Sequence, residues 1–286
     1  MRSFKPLILA SVFATFSCFA QASSSTATVT LTPDGGHVGD GFQLSGLQGT
    51  ATLTVSERML AYLSVMHASL QSVPEAVVTT QTVPKSNGTG VRLSSVVVES
   101  PLSSLSAAFE GGSLTARGVE GLGGVLISTI KTGATNGAGW VSIGDLQVDL
   151  VTKTIRADIA GGNGLVALND HALWRYESAA GPLTFTPSGT AGQDGAVTLS
   201  SAITLSGLRW VDLADVTNVF AVALNLNTVG KAMLRSINTP NQAPDGFGSI
   251  TLSMSVSAVP EPGTFGLVGV GLVGLALFGR RRDADR

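Results

Sequence analysis

Residues 249–257 read Ser-Ile-Thr-Leu-Ser-Met-Ser-Val-Ser, an apolar side chain at every second position with a hydroxyl on either side. Only an extended chain, whose successive side chains point to opposite faces, keeps those two classes apart; a helix would spread both around its circumference. The segment therefore predicts a half-buried strand with a hydroxyl face. Residues 26–32, Thr-Ala-Thr-Val-Thr-Leu-Thr, repeat the pattern near the other end of the chain, and Pro33-Asp34-Gly35-Gly36 then supplies a turn.

Between these two segments the same grammar recurs. Phe42, Leu44 and Leu47 predict a second strand closed by Gly49. Val77–Val83 and Val91–Glu99 read as paired strands joined across Pro84-Lys85-Ser86-Asn87-Gly88, where Asn-Gly favours a tight turn. Ser113–Val119, Val125–Lys131, Gly139–Ile143, Leu146–Val151, Thr154–Ile159, Leu183–Thr186 and Ala196–Leu208 are further strand candidates with glycine-rich breaks between them. The clearest helix follows Thr54-Val55-Ser56-Glu57, which has capping-box spacing. Leu60, Leu63, His67 and Leu70 then recur at intervals of three and four, and Pro74 ends the pattern, so Ser56–Ser72 is expected to be an amphipathic helix packed on a sheet. Asp212–Leu226 fits a helix through Leu213, Val216, Phe220 and Ala223, although Val219–Leu226 also fits a buried strand; Val229–Ile237 continues the helical reading and Asn238–Gly246 reads as a loop. The expected fold is mainly β: an antiparallel sandwich or a curled sheet or barrel, with one or two packed helices. No proline-rich or charge-rich linker divides residues 23–258, so one domain is expected there.

The two ends of the chain read differently. Arg2 and Lys5 precede an apolar stretch from Leu7 to Phe19, and Ala20-Gln21-Ala22 places small residues where signal peptidase needs them. Residues 1–22 are therefore expected to be a secretory signal cleaved after Ala22, with Ala20 as the alternative and an uncleaved anchor as the rival. The chain's one cysteine, Cys18, lies in this stretch; bulky Phe16 makes it a poor lipoprotein site. Removing the signal leaves no cysteine for a disulfide, a thiolate nucleophile or a metal.

At the other end stand Val259-Pro260-Glu261-Pro262, an apolar run over residues 264–279, and Arg280-Arg281-Arg282. As a helix that run is about 24 Å long, short of a hydrocarbon core of roughly 30 Å, a mismatch that snorkelling arginines and bilayer thinning can absorb. The arginines would stay cytoplasmic as a membrane stop, leaving the body outside the inner membrane. Pro260 and Pro262 each fix φ and remove a backbone donor, so Ser257, Ala258, Val259 and Glu261 are expected to stay out of sheet and helix, extended at the membrane face. The tripeptide, the short span and the basic end together resemble the PEP-CTERM sorting signal of Gram-negative bacteria, over residues 259–286 and nothing else. That resemblance implies recognition by exosortase, a membrane-embedded cysteine protease, transient anchoring in the inner membrane, and delivery to the cell surface or an exopolysaccharide matrix.

The body itself offers little chemistry. Once the charges of both ends are removed it is mildly acidic, which gives it no electrostatic reason to bind nucleic acid. No Gly-x-Ser-x-Gly elbow, His-Glu-x-x-His motif or phosphate loop occurs. Of the three histidines, His37 is expected to be solvated and His67 to lie on the apolar helix face. His171, Trp174 and Tyr176, within Asn169–Glu177, are the candidate ligand contacts, since rings stack on sugars and polar groups meet their hydroxyls; the competing reading is a strand edge with Trp174 in the core. Asp145 and Asp149 would share a strand face, and Asp34, Asn163, Asp194 and Asp245 sit in turns without a calcium-loop spacing. No catalytic residue, metal or cofactor is expected. The reading is an exported, non-catalytic surface or matrix protein associated with exopolysaccharide; a carbohydrate- or ligand-binding module is the alternative, ahead of a secreted hydrolase. Its expected partners are signal peptidase, exosortase, the inner membrane and exopolysaccharide.

Overall fold

The computed structural model describes residues 27–39, 42–110, 113–132, 134–188 and 196–260. The expected signal peptide with its Ala20 and Ala22 cleavage positions, Asp194, Glu261, Pro262, the apolar span 264–279 and Arg280–Arg282 lie outside the described residues. Among the described residues no helix is long and apolar enough to cross a membrane.

Among the described residues, sixteen strands form one antiparallel sheet, accompanied by three short α-helices and a π-helical turn. The chain begins with β1 (Ala27–Leu31), β2 (Gly36–Gly39) and β3 (Phe42–Val55), then enters helix α1 (Glu57–Val65). Next come β4 (Ala68–Val73), β5 (Val77–Pro84), β6 (Val91–Glu110), β7 (Ser113–Gly121), β8 (Gly124–Thr129), β9 (Gly139–Asp149), β10 (Thr154–Gly161) and β11 (Leu168–Arg175). The short β12 (Ser178–Ala180) and β13 (Thr186–Ser188) precede β14 (Val197–Ser206) and β15 (Arg209–Trp210). A π turn (Val216–Phe220) runs into α2 (Ala221–Ala223), α3 (Thr228–Ser236) follows, and β16 (Gly248–Pro260) ends the fold.

The alternation of Ile250, Leu252, Met254 and Val256 is realised in β16, where all four are buried. β16 is a central strand: β14 pairs along it from Val197↔Ala258 to Ser206↔Ser249, and β3 takes its other edge. The hydroxyls between the apolar residues pair across strands, as Thr204 and Thr251 do at 3.2 Å. β3 does not stop at Gly49 as expected. A Cβ there would fall 2.1 Å from the Ser253 carbonyl oxygen, so glycine is what lets β16 approach and the strand continue to Val55.

β6 is the corner of the sheet. Its first half pairs with β3 and β5; beyond Pro101 it takes up β7 from Leu102↔Gly121 onward and β1 from Leu31↔Leu105. Expected to end at Glu99, the strand instead runs through the proline, which sits at the change of partners where an unbonded donor costs nothing. The two halves enclose a shared apolar core: Leu53, Val55, Val96 and Val98 meet Val125, Ile127, Ile143 and Leu146 around a cavity of about 20 Å³. The strand path is open, ending at β12 and β15. Those ends nevertheless belong to one ribbon. Trp174↔Trp210 and Arg175↔Arg209 are followed in unbroken register by Ser178↔Ser206, Ala179↔Leu205 and Ala180↔Thr204. The sheet is thus curled, with facing halves.

The helix expected over Ser56–Ser72 is shorter. Ser56 caps it, accepting from the Met59 amide at 3.3 Å and donating to the Gly246 carbonyl at 2.7 Å. It ends at Met66; His67 has φ 52 and is exposed, not on an apolar face. The chain then becomes β4, pairing Ala68↔Thr129 through Val73↔Gly124. Leu70 fits the helical spacing and equally the strand's period of two, and the β8 ladder decides between them. The helical reading over Asp212–Leu226 is met in its middle, by the π turn and α2 over residues 216–223, while Leu226 bridges to Asn136; that over Val229–Ile237 matches α3, which Asn227 caps through the Val229 and Gly230 amides.

Candidate functional site

The C-terminal tag leaves the body from an ordered strand. Ser257↔Ser45, Ala258↔Leu44, Val259↔Gln43 and Pro260↔Phe42 extend the β16–β3 ladder into the first residues of the sorting motif. The expectation that residues 257–259 stay out of the sheet is therefore corrected. A proline lacks only its own donor, and it drives the preceding residue toward the β region, which is what a strand requires. The body's other end lies beside this exit: Ala27 pairs with Phe109, and the rings of Phe109 and Phe42 sit 6.5 Å apart. Both ends of the described body thus emerge at one end of the sheet. His37, expected to be solvated, is there half-buried, with its ring edge-on to Phe109 at 6.4 Å.

The two large rings of the patch singled out around His171 are interior, while Asn169, Asp170, Arg175 and Glu177 are exposed. Trp174 is 1 % and Tyr176 4 % exposed. Trp174 packs against Trp210 and Phe247, and Trp210 against Phe220 at 4.6 Å between ring centres. Tyr176 donates its hydroxyl to the Leu150 carbonyl at 3.1 Å. Burial, reinforced by the charge of Asp149, pushes the Tyr176 phenol above its ordinary value. His171 stays half-buried with Nε2 3.0 Å from Asp215 Oδ2. The structure therefore corrects the assignment of Trp174 and Tyr176 as ligand contacts. The aromatic cluster holds the Trp174 ring in the core and the bond to Leu150 holds that of Tyr176 there, so neither ring offers a stacking surface.

Other polar candidates also serve the fold. Asp145 has φ 49 and sits at an irregularity of β9, accepting from the Gly123 amide at 3.0 Å. Asp149 closes the turn after β9, accepting from the amides of Val151 at 2.8 Å and Thr152 at 2.9 Å. Partial burial opposes its ionisation, but the bonds from Thr152 and Val151 prevail and hold the carboxyl below its ordinary value. The two carboxylates thus sit at separate backbone caps. Arg209, 2 % exposed, bonds Glu177 and donates to the carbonyls of Ile237 at 2.6 Å, Ala243 at 3.2 Å and Pro244 at 3.1 Å, tying the 238–246 loop to the sheet. Among the described residues no cluster of three or more His, Cys, Asp or Glu could hold a metal.

Trp140, which was not among the candidate ligand contacts, is an exposed ring. On β9 the inward residues are Val141 and Ile143, which puts Trp140 and Ser142 outside, and Trp140 is 42 % exposed. It borders an open groove of about 660 Å³ together with Leu126, Ser128, Gly162 and Asn163. Parity along residues 140–143 was the signal that could have found it: Trp140 shares the phase of Ser142, while Val141 and Ile143 mark the core.

The body is thus an antiparallel β domain whose last strand delivers a proline-containing tail from the end where its first strand begins. Residues 258–282 match the PEP-CTERM protein-sorting motif. That motif implies an exported protein processed by exosortase. No curated protein and no solved structure shows a significant match to the chain.

Proposed function

We propose that the protein is a non-catalytic component of the cell surface or of an extracellular matrix rich in exopolysaccharide, released or re-anchored by exosortase acting at Val259-Pro260-Glu261-Pro262. The match over residues 258–282 carries this reading, because it makes the C-terminal apolar stretch a processing address. The exit of both body ends at one end of the sheet supports it. A chain held by its N-terminal signal during export and by its C-terminal span afterward can then fold with its bulk clear of the bilayer. The engagement of Asp145, Asp149, Arg209 and Glu177 in fold-building bonds supports a structural body over a hydrolase.

Replacing Pro260-Glu261-Pro262 by three alanines tests the sorting step in full-length protein. The variant is expected to accumulate in the inner-membrane fraction at the mass of the chain with its tail attached. The same export and trimmed mass as the natural sequence would overturn exosortase handling. For the matrix role, the exported protein should co-sediment with exopolysaccharide from the producing cells; free recovery in the soluble fraction would reject that part alone.

A further inference from the structure

The Trp140 groove has the chemistry of a site for a neutral sugar chain. β8 and β9 pair Ser128↔Trp140 and Leu126↔Ser142, so these side chains share the outer face of the sheet, and Ile130 continues the same phase, exposed. Beyond β8 on that face, β4 adds Ser69 opposite Ser128 and Gln71 opposite Leu126. None of the residues bordering the groove carries a charge. A flat ring bordered by hydroxyls and an amide, without charge, complements the apolar C–H face and equatorial hydroxyls of a hexopyranose.

The site is held in place before any ligand arrives. The Trp140 carbonyl accepts from the Gly162 amide at 2.9 Å, and the ring lies against Gly162, where a Cβ would fall 2.9 Å from Nε1. Asn163 is pinned by its Nδ2, which donates to the Ala223 carbonyl at 2.9 Å and the Ala138 carbonyl at 3.3 Å. Its Oδ1 remains as an acceptor on the groove wall. A ring and an amide already fixed lose little freedom on binding, which is the condition under which one exposed aromatic can contribute usefully.

The groove also points away from the tag. β7 starts beside Glu110, at the end of the sheet that holds Phe42 and Pro260. From Gly118↔Asp149, β9 extends past Gly121 to pair with β8, so Trp140 lies at the opposite end. A body tethered through Pro260 would present this groove outward. We infer that the Trp140 face binds a neutral polysaccharide by stacking sugar rings on the indole, with Ser128 and Asn163 bonding hydroxyls.

The test uses exported protein and soluble oligomers of glucose, mannose and galactose, followed by Trp fluorescence and calorimetry. At least one neutral oligomer should bind. Trp140→Ala should weaken that binding at least about tenfold, while its thermal midpoint stays within a few degrees of the natural protein because the ring is half outside the core. Gly162→Val, which lifts the ring from its bed, should weaken binding too. Raising NaCl to about 0.5 M should leave the affinity unchanged, since no charge takes part. The proposal is overturned if none of these oligomers binds, if Trp140→Ala binds as the natural protein does, or if only charged polymers bind and salt releases them.

Discussion

At the scale of single residues, the largest polar group in the interior, Arg209, is held by several partners, whereas the buried Trp174 Nε1 has none. Arg209 forks to two loop carbonyls, those of Ala243 and Pro244, and to the Ile237 carbonyl at the end of α3, as well as to Glu177. Arg209→Met should cost roughly 3 kcal/mol in chemical denaturation, because it leaves buried carbonyls without a donor; Arg209→Lys should recover only part of this, having no planar fork. Tyr176 makes a prediction with a pH sign. Its folded pKa is raised by burial first and then by Asp149, so the neutral phenol is favoured in the folded state. The associated stability is complete below the unfolded value near 10 and is lost as pH rises through the folded one. Tyr176→Phe should therefore flatten the alkaline loss of stability, at a neutral-pH cost of about 1 kcal/mol for the bond to Leu150. An unchanged alkaline limb would assign that loss to other groups. Asp149 runs the other way: its folded pKa is depressed, so its contribution is present above the unfolded value and fades as pH falls.

At the scale of elements, alternation was legible and termination was not. Residues 249–257 announced β16 by pattern alone, and Val77–Val83 with Val91–Glu99 announced the β5–β6 pair. The stops were harder to read. Gly49 and Pro101 look like breakers in isolation, yet one permits a close approach of β16 and the other marks a change of neighbours. Helix α1 failed in the opposite sense, because Leu70 satisfies both the helical spacing and the strand's period of two, and only the ladder with β8 decides that the helix ends at Met66. Two substitutions probe this scale. Ser56→Ala removes both the cap on Met59 and the bond to Gly246, and should cost about 1–2 kcal/mol in a denaturant titration. Gly49→Val should destabilise more than that, since its side chain would meet the Ser253 carbonyl; a melt unchanged from the natural protein would show that β16 can shift to accommodate it.

For the whole molecule, the consequence of the topology is that the body closes on its final strand. β16 lies between β14 and β3, so a chain ending at Gly248 should fail to give the cooperative thermal transition of the full body. Removing residues 261–286, by contrast, should move the midpoint by only a few degrees, because the described β16 ladder, from Gly248 to Pro260, is left intact. Circular dichroism melts of the two truncations separate these outcomes. The candidate site belongs to this scale too. The His171–Tyr176 patch drew attention by its unusual composition, but the aromatic cluster with Trp210 and Phe247 took Trp174 inward, and the bond to Leu150 did the same for Tyr176. Trp140, in a stretch that read as an ordinary strand, was left outside by parity and by the glycines around it.

The sequence by itself determined the β class, the segments with a two-residue period, a helix start near Ser56 and the sorting motif, because each rests on neighbours along the chain; the capping-box spacing over residues 54–57 did not hold, since Thr54 lies in β3 and Ser56 is the cap. Tertiary structure alone decided where strands stop, which aromatic rings face water, and that the tag continues a central strand. Those outcomes depend on which partner strand supplies hydrogen bonds and which face meets the other half of the sheet, and neither quantity is written in local spacing.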